Sequence, residues 1–274
     1  MKKPLFNKVC IVGVGLIGGS IGMAMKKRRL ARWAVGVVRR DKTAKQAVAW
    51  KAVDVATKDL KTGVRDADLV VLAAPVFQIE KDLARIAPYL KKGTVVVDVG
   101  STKAPILAAA RRCLKRNVFV GCHPMAGSEK CGIENADARL FENAVCFLTS
   151  RHTAVERFWR ALGARPARVD ARAHDAWVAS MSHLPHLLSF ALFHHAPRMP
   201  GRFALNPSAA SFARLARSNP ALWSDILASN RRELTAALRG VSRTLRAFDA
   251  SLARPAALRR LIRAANRTAS SFPE

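Results

Sequence analysis

The chain has 274 residues, half of them hydrophobic, and carries a formal charge of +28 from 47 Lys and Arg against 19 Asp and Glu. That length allows one large domain or two modest ones around a substantial core, and the apolar content excludes disorder as the default state. No apolar run reaches the roughly 20 residues a bilayer span needs, and the Met1-Lys-Lys-Pro-Leu-Phe opening is too short for a signal peptide.

Cys10, Cys113, Cys122, Cys131 and Cys146 are odd in number and show no C-x-x-C spacing. They read as free thiols of a cytoplasmic protein rather than a disulfide framework or a zinc site. The basic residues are spread over the whole length, and beyond Lys130 every Lys or Arg position is arginine amid abundant alanine. A nucleic-acid footprint requires clustering, so the charge reads as a compositional bias on solvated faces. Neither nucleic acid nor membrane is expected as a partner, although the field would help gather anionic substrates.

The first informative stretch is Lys8-Val-Cys-Ile-Val-Gly-Val-Gly-Leu-Ile-Gly-Gly-Ser20. A β-branched run breaks at Gly13, and a helix is expected over about 16–28. Gly13, Gly15 and Gly18 fall in the G-x-G-x-x-G spacing. The first suits a tight turn, the second a close backbone approach to pyrophosphate, and the third close helix–strand packing. With Leu16 and Ile17 these glycines are the expected cradle of a dinucleotide. Trp33-Ala-Val-Gly-Val-Val38 reads as the second strand, followed by Arg39 and Arg40. No acidic residue holds the strand end where NAD's ribose hydroxyl would be bound, and an arginine pair suits a 2′-phosphate, which favours NADP; Asp41 leaves NAD open.

Asp66-Ala-Asp-Leu-Val-Val-Leu-Ala-Ala-Pro75 reads as a helix end and a buried strand stopping at a proline turn, so Ala74 and Pro75 should also meet the cofactor. Thr94-Val-Val-Val-Asp-Val-Gly-Ser-Thr-Lys103 is a strand breaking at Gly100-Ser101, and Asn117-Val-Phe-Val-Gly-Cys-His-Pro124 is a strand that delivers His123 to its end. Ser101, Thr102, Lys103 and His123 thus converge on one sheet edge. After about residue 150 strand signals fade, and helices are expected over about 172–196, 206–217, 221–248 and 255–268. The expected fold class is α/β: a Rossmann-type doubly wound sheet in a dinucleotide-binding domain (1–165), then a mainly α-helical domain for substrate binding and dimerisation (166–274). A homodimer is expected because such appendages bury their apolar faces against a second copy.

Cys122-His-Pro-Met-Ala-Gly-Ser-Glu129, followed by Cys131-Gly-Ile-Glu134, resembles the H-P-M-A-G-x-E signature of the prephenate and arogenate dehydrogenases. Gly13 to Ser20 resembles that family's opening loop, and Asp98-Val-Gly-Ser-Thr-Lys103 its central strand turn. His174-Asp-Ala-Trp-Val-Ala-Ser-Met-Ser-His-Leu-Pro-His186 resembles its H-D…S-H-L-P-H segment, and Arg214-Leu-Ala-Arg-Ser-Asn-Pro-Ala-Leu-Trp223 its R-x-A-x-S-x-P-x-x-W segment. The resemblance covers about residues 8 to 230. Neither a regulatory extension after 274 nor a chorismate mutase segment before residue 8 is expected.

The resemblance implies NAD(P)-dependent oxidative decarboxylation of a cyclohexadienol, giving 4-hydroxyphenylpyruvate from prephenate or tyrosine from arogenate. Such chemistry needs an acceptor for the hydroxyl proton, and neutral histidine suits that near pH 7. His123 is the candidate acceptor, with Ser101 orienting the imidazole or sharing the proton. Arg214 would grip the side-chain carboxylate bidentately, His186 would line the substrate site, and Glu129 and Trp223 would shape or gate it. No metal is expected: His183 and His186 lack a third ligand at credible spacing. Within the enzyme class the rival is a two-domain dehydrogenase acting on a β-hydroxyacid or imine; outside it, a non-catalytic NADP-binding sensor or a nucleic-acid binder.

Overall fold

The computed structural model describes residues 3–128, 130, 132–196 and 206–272. Strands and helices alternate from the start: β1 (Phe6–Val12), α1 (Leu16–Lys27), β2 (Ala31–Val37), α2 (Asp41–Ala49), β3 (Val55–Thr57), α3 (Leu60–Val64), β4 (Leu69–Leu72), α4 (Val76–Ile86), β5 (Val95–Asp98), α5 (Ala104–Cys113) and β6 (Val118–Val120). The six strands form one parallel sheet in the order β3-β2-β1-β4-β5-β6, the arrangement of a Rossmann fold.

Successive residues of a central strand serve opposite faces, and helices cover both faces here, so both sets must be apolar. Val9, Ile11, Leu69, Val71, Val95 and Val97 pack with Ile21 and Met25 of α1 on one face. Cys10, Val12, Val70, Leu72 and Val96 pack with Ile79 and Leu83 of α4 and Ile106 of α5 on the other. The strand order reverses between β1 and β4, so their carboxyl ends open the crevice where this fold receives a ligand.

The stretch read from sequence as one strand over 117–124 is two. The Gly121 amide donates to Thr149 Oγ1 (3.0 Å) and the Cys122 amide to Asp98 Oδ1 (3.1 Å). These bonds turn Cys122–Pro124 (β7) out of the large sheet. β7 pairs antiparallel with β8 (Val145–Leu148), which runs parallel to β9 (Arg165–Arg168). Between them α6 (Thr153–Ala161) buries Val155, Phe158 and Trp159 in the same core as Cys146 and Leu148.

Helices then take over: α7 (Ala171–Val178), α8 (Leu184–His195), α9 (Pro207–Ala216), α10 (Pro220–Ser229), α11 (Arg231–Asp249) and α12 (Pro255–Ala269). The helix expected over 172–196 is interrupted by a π-helical turn at Ala179–His183. Pro185 just beyond it has no N–H to continue the regular ladder. The helix expected over 221–248 breaks at Asn230, whose buried amide is committed elsewhere. Pro207 and Pro220 start α9 and α10 behind Asn206 and Asn219, which cap Ala209 N (2.8 Å) and Leu222 N (3.0 Å), the usual chemistry of a helix start. α11 buries only Leu234 and α12 buries no side chain, which leaves Leu238, Leu245 and Ile262 exposed, with Leu252 exposed between the two helices. Among the described residues no helix is long and apolar enough to cross a membrane.

Candidate active site

The turn after β1 is built so tightly that Gly13 and Gly18 are sterically required. Gly13 has φ +94°, and a Cβ there would lie 2.4 Å from the Ala73 carbonyl oxygen at the end of β4. A Cβ on Gly18 would lie 2.0 Å from the Gly13 oxygen, whereas one on Gly15 would meet nothing within 4 Å. Gly15 therefore faces open space at the start of α1, where Leu16 and Ile17 begin the helix. No side chain caps this helix start and no acidic residue stands in its first turn. Unclaimed amides and the positive end of the helix dipole facing an open cradle fit a pyrophosphate. Ala74 and Pro75 border the same crevice, Pro75 as the residue preceding α4. Arg39 and Arg40 stand exposed beyond β2, while Asp41 pairs with Lys58 at 3.0 Å.

β7, anchored to Asp98 of β5 and to Lys103, carries His123. Its Nδ1 lies 2.9 Å from His174 Nε2, the two rings meeting edge to face. His174 Nδ1 lies 2.8 Å from Asp175 Oδ1. The Asp175 carboxylate also accepts the backbone amides of Lys103 (2.7 Å) and Ala104 (2.8 Å) at the start of α5. Asn230, at the break between α10 and α11, donates to the Asp175 carbonyl (2.8 Å) and its amide nitrogen lies 3.2 Å from His183 Nδ1. His174, Asp175, His183 and Asn230 are all buried. Below them Lys103 and Asp98 form a fully buried ion pair, and Lys103 also donates to the Cys122 carbonyl (2.6 Å). That pair ties α5 to β7 and fixes the backbone from which His123 projects.

Burial holds the His123 imidazole well below the usual histidine range, and the neighbouring His174, Lys103 and His183 push the same way. His183 is pushed down to about 4, mainly by burial, against the opposing pull of Asp175. His186 stacks on Trp223 with ring centroids 3.5 Å apart, and its Nδ1 donates to the Ser182 carbonyl (2.9 Å). Burial lowers its pKa, with a further push from the Arg214 guanidinium. Arg214 itself is exposed on α9, which packs along α8. His183 and His186 both meet the Trp223 ring, edge to face at 6.2 Å and stacked at 3.5 Å. Ser101 lies half-buried after β5, and among the described residues its hydroxyl makes no hydrogen bond; the Nδ1 of His123 faces His174 instead. Glu129 lies outside the described residues.

The sequence reading gave no role to Asp175 or Asn230 and used His174 only as a motif landmark. The adjacent His-Asp pair was visible there, but its alignment with His123 depends on β7 leaving the large sheet. The helix break at Asn230 carried no proline or glycine to announce it.

Comparison with known proteins places the chain in a family. Residues 21–167 match the model of the prephenate dehydrogenase nucleotide-binding domain, and residues 170–263 that of the prephenate dehydrogenase dimerization domain. The chain belongs to the prephenate dehydrogenase family. It is 32% identical over 233 residues to the prephenate dehydrogenase of Lactococcus lactis subsp. cremoris (strain MG1363), covering 82% of this chain and 65% of that protein. It therefore spans just under two thirds of the length of that relative. It is also 32% identical over 246 residues to the cyclohexadienyl dehydrogenase of Zymomonas mobilis, covering 82% of each. Among solved structures, prephenate dehydrogenase from Aquifex aeolicus in complex with hydroxyphenyl propionate and NAD+ superposes with a TM-score of 0.86 at 26% identity. That match covers 97% of this chain and 98% of the other.

Proposed function

We propose that the chain catalyses oxidative decarboxylation of prephenate, arogenate or both with NAD(P), giving 4-hydroxyphenylpyruvate or tyrosine. The observation that carries this reading is His123: an imidazole held neutral by burial, on a strand anchored to the end of β5, in a chain of this family whose β1–α1 turn carries the open glycine cradle. Bound NAD(P) supplies the acceptor for the hydride that leaves the ring carbon bearing the hydroxyl. His123 Nε2 takes the hydroxyl proton as that carbon becomes a carbonyl. The ring carboxylate then departs as carbon dioxide, its bonding electrons make the ring aromatic, and the proton returns to the phenol oxygen. Ser101 shares that proton from the end of β5. Arg214 grips the substrate's side-chain carboxylate, and the His186–Trp223 stack and Glu129 wall the site.

The exposed Arg39–Arg40 pair favours NADP, and Asp41 beside it is engaged by Lys58. Residues 1–165 serve as the nucleotide-holding domain and 166–274 as the substrate and dimer domain. The exposed Leu238 and Leu245 of α11 and Ile262 of α12 support a homodimer, and the free thiols of Cys10, Cys113, Cys122 and Cys146 suit a reducing cytoplasm. The test follows reduced-cofactor absorbance with prephenate and with arogenate, each paired with NAD and with NADP. Turnover in at least one pairing, faster with NADP, is expected; no turnover in any of the four overturns the reading.

A further inference from the structure

We propose that His174 and Asp175 are positioning residues that fix the tautomer of His123 and so make its outward nitrogen the proton acceptor; this rests on the reading of His123 given above. The deduction begins at the carboxylate. Both Asp175 oxygens accept backbone amides, Oδ1 from Lys103 at 2.7 Å and Oδ2 from Ala104 at 2.8 Å, so the group acts as an acceptor at the start of α5. The ring nitrogen 2.8 Å from Oδ1 must then bring the hydrogen, which puts it on Nδ1 of His174. Neutral His174 consequently has a bare Nε2. A nitrogen–nitrogen separation of 2.9 Å holds one hydrogen, and only His123 Nδ1 can supply it. Each ring has two nitrogens with complementary roles, so fixing one end of the chain fixes the other. His123 is left with a lone pair on Nε2.

The alternative assignment defeats the chemistry. With the hydrogen of His174 on Nε2, that nitrogen would donate to His123 Nδ1, and His123 would point an N–H at a hydroxyl whose proton it must take. Without a partner the imidazole would divide between both forms. The groups around the pair all act in one direction. Lys103, buried beneath β7, and His183, on the π-helical turn, both disfavour a protonated His123. Asp98 is committed to Lys103 and to the amides of Gly100 (2.8 Å) and Cys122 (3.1 Å). Asp175 is thus the carboxylate aligned with the two rings. When Nε2 of His123 takes the substrate proton, the hydrogen on Nδ1 can move along the 2.9 Å line to His174 Nε2. The positive charge then lies beside Asp175, and the reverse shift returns the proton as the phenol forms. No atom or electron is gained or lost. His174 and Asp175 do not touch substrate in this scheme; they act through His123.

Two measurements test the proposal together. In the whole protein labelled with 15N-histidine, the ring nitrogens of His123, assigned with a His123→Asn control, should show Nδ1 protonated and Nε2 bare near pH 7. Asp175→Asn keeps a carbonyl oxygen for the Ala104 amide but can turn an N–H₂ toward His174, favouring the opposite tautomers. Its kcat is expected to fall about 10²- to 10⁴-fold, with KM for both substrates changed less than about threefold, and His123 should shift toward the Nε2–H form. A wild-type protein with its hydrogen on Nε2, or an Asp175→Asn protein with wild-type kcat, overturns the proposal. Should Asp175→Asn fail to fold, the wild-type spectrum still decides. Should the wild type lack turnover with every pairing, the proposed function fails while the tautomer measurement stands on its own.

Discussion

An imidazole that is to take a proton from an alcohol near neutral pH has to arrive without one. Burial, with His174, Lys103 and His183 adding to it, keeps His123 in that state. The sign of the pH effect follows. The folded-state pKa lies well below the ordinary 6.5, so the active neutral form persists as pH falls through that value. A profile of kcat from about pH 8 to about pH 5 should therefore stay flat through 6.5 and bend only at lower pH. A bend centred on 6.5 would mean that His123 is solvated like a free histidine. At this scale much was legible in the chain: Ser101, His123, His186 and Arg214 stood out by type and by resemblance. The neighbours that tune them did not, because Asp175 and Asn230 act through pairings 72 and 55 residues away in sequence.

Three elements decide the site's geometry. The β1–α1 turn carries the cofactor cradle, and its glycines make a contrast that separates folding from binding. Gly15→Ala adds a methyl group to open space and should leave the melting temperature unchanged while weakening NADP binding at least about tenfold. Gly18→Ala drives a Cβ to 2.0 Å from the Gly13 oxygen, so both the melting temperature and NADP binding should drop. Calorimetry and a cofactor titration on the two variants check this; equal melting losses would mean the space at Gly15 is not open. β7 is the second element. Its departure from the large sheet depends on hydrogen bonds from Gly121 and Cys122 to Thr149 and Asp98, long-range pairings that an apolar run over 118–120 cannot announce. The third is the α7–α8 segment. Its length and helical character were legible, but the π-helical turn that brings His183 toward Asn230 reflects tertiary bonding and the missing amide of Pro185.

The whole molecule carries a liability that its chemistry explains. His183 is 1% exposed, and its pKa falls from an ordinary 6.5 to about 4. Between those values the unfolded chain binds a proton that the folded chain refuses, so stability rises with pH across that window. Acidification from pH 6.5 to about 4 should cost about 3 kcal/mol from this residue alone, with His123 adding in the same direction. Urea unfolding at both pH values measures the loss, and His183→Gln should flatten it; an unchanged slope in that variant would assign the acid sensitivity elsewhere. The order of strands and helices was readable because buried parallel strands show as apolar runs and surface helices as periodic ones. The account as a whole depends on one molecule joining a nucleotide cradle on the sheet to a proton acceptor on β7. The most direct test is steady-state kinetics of His123→Asn against wild type with the best substrate and cofactor pairing. The account predicts a fall in kcat of about 10²- to 10⁴-fold with KM for both substrates nearly unchanged; near-normal kcat in the variant would contradict it.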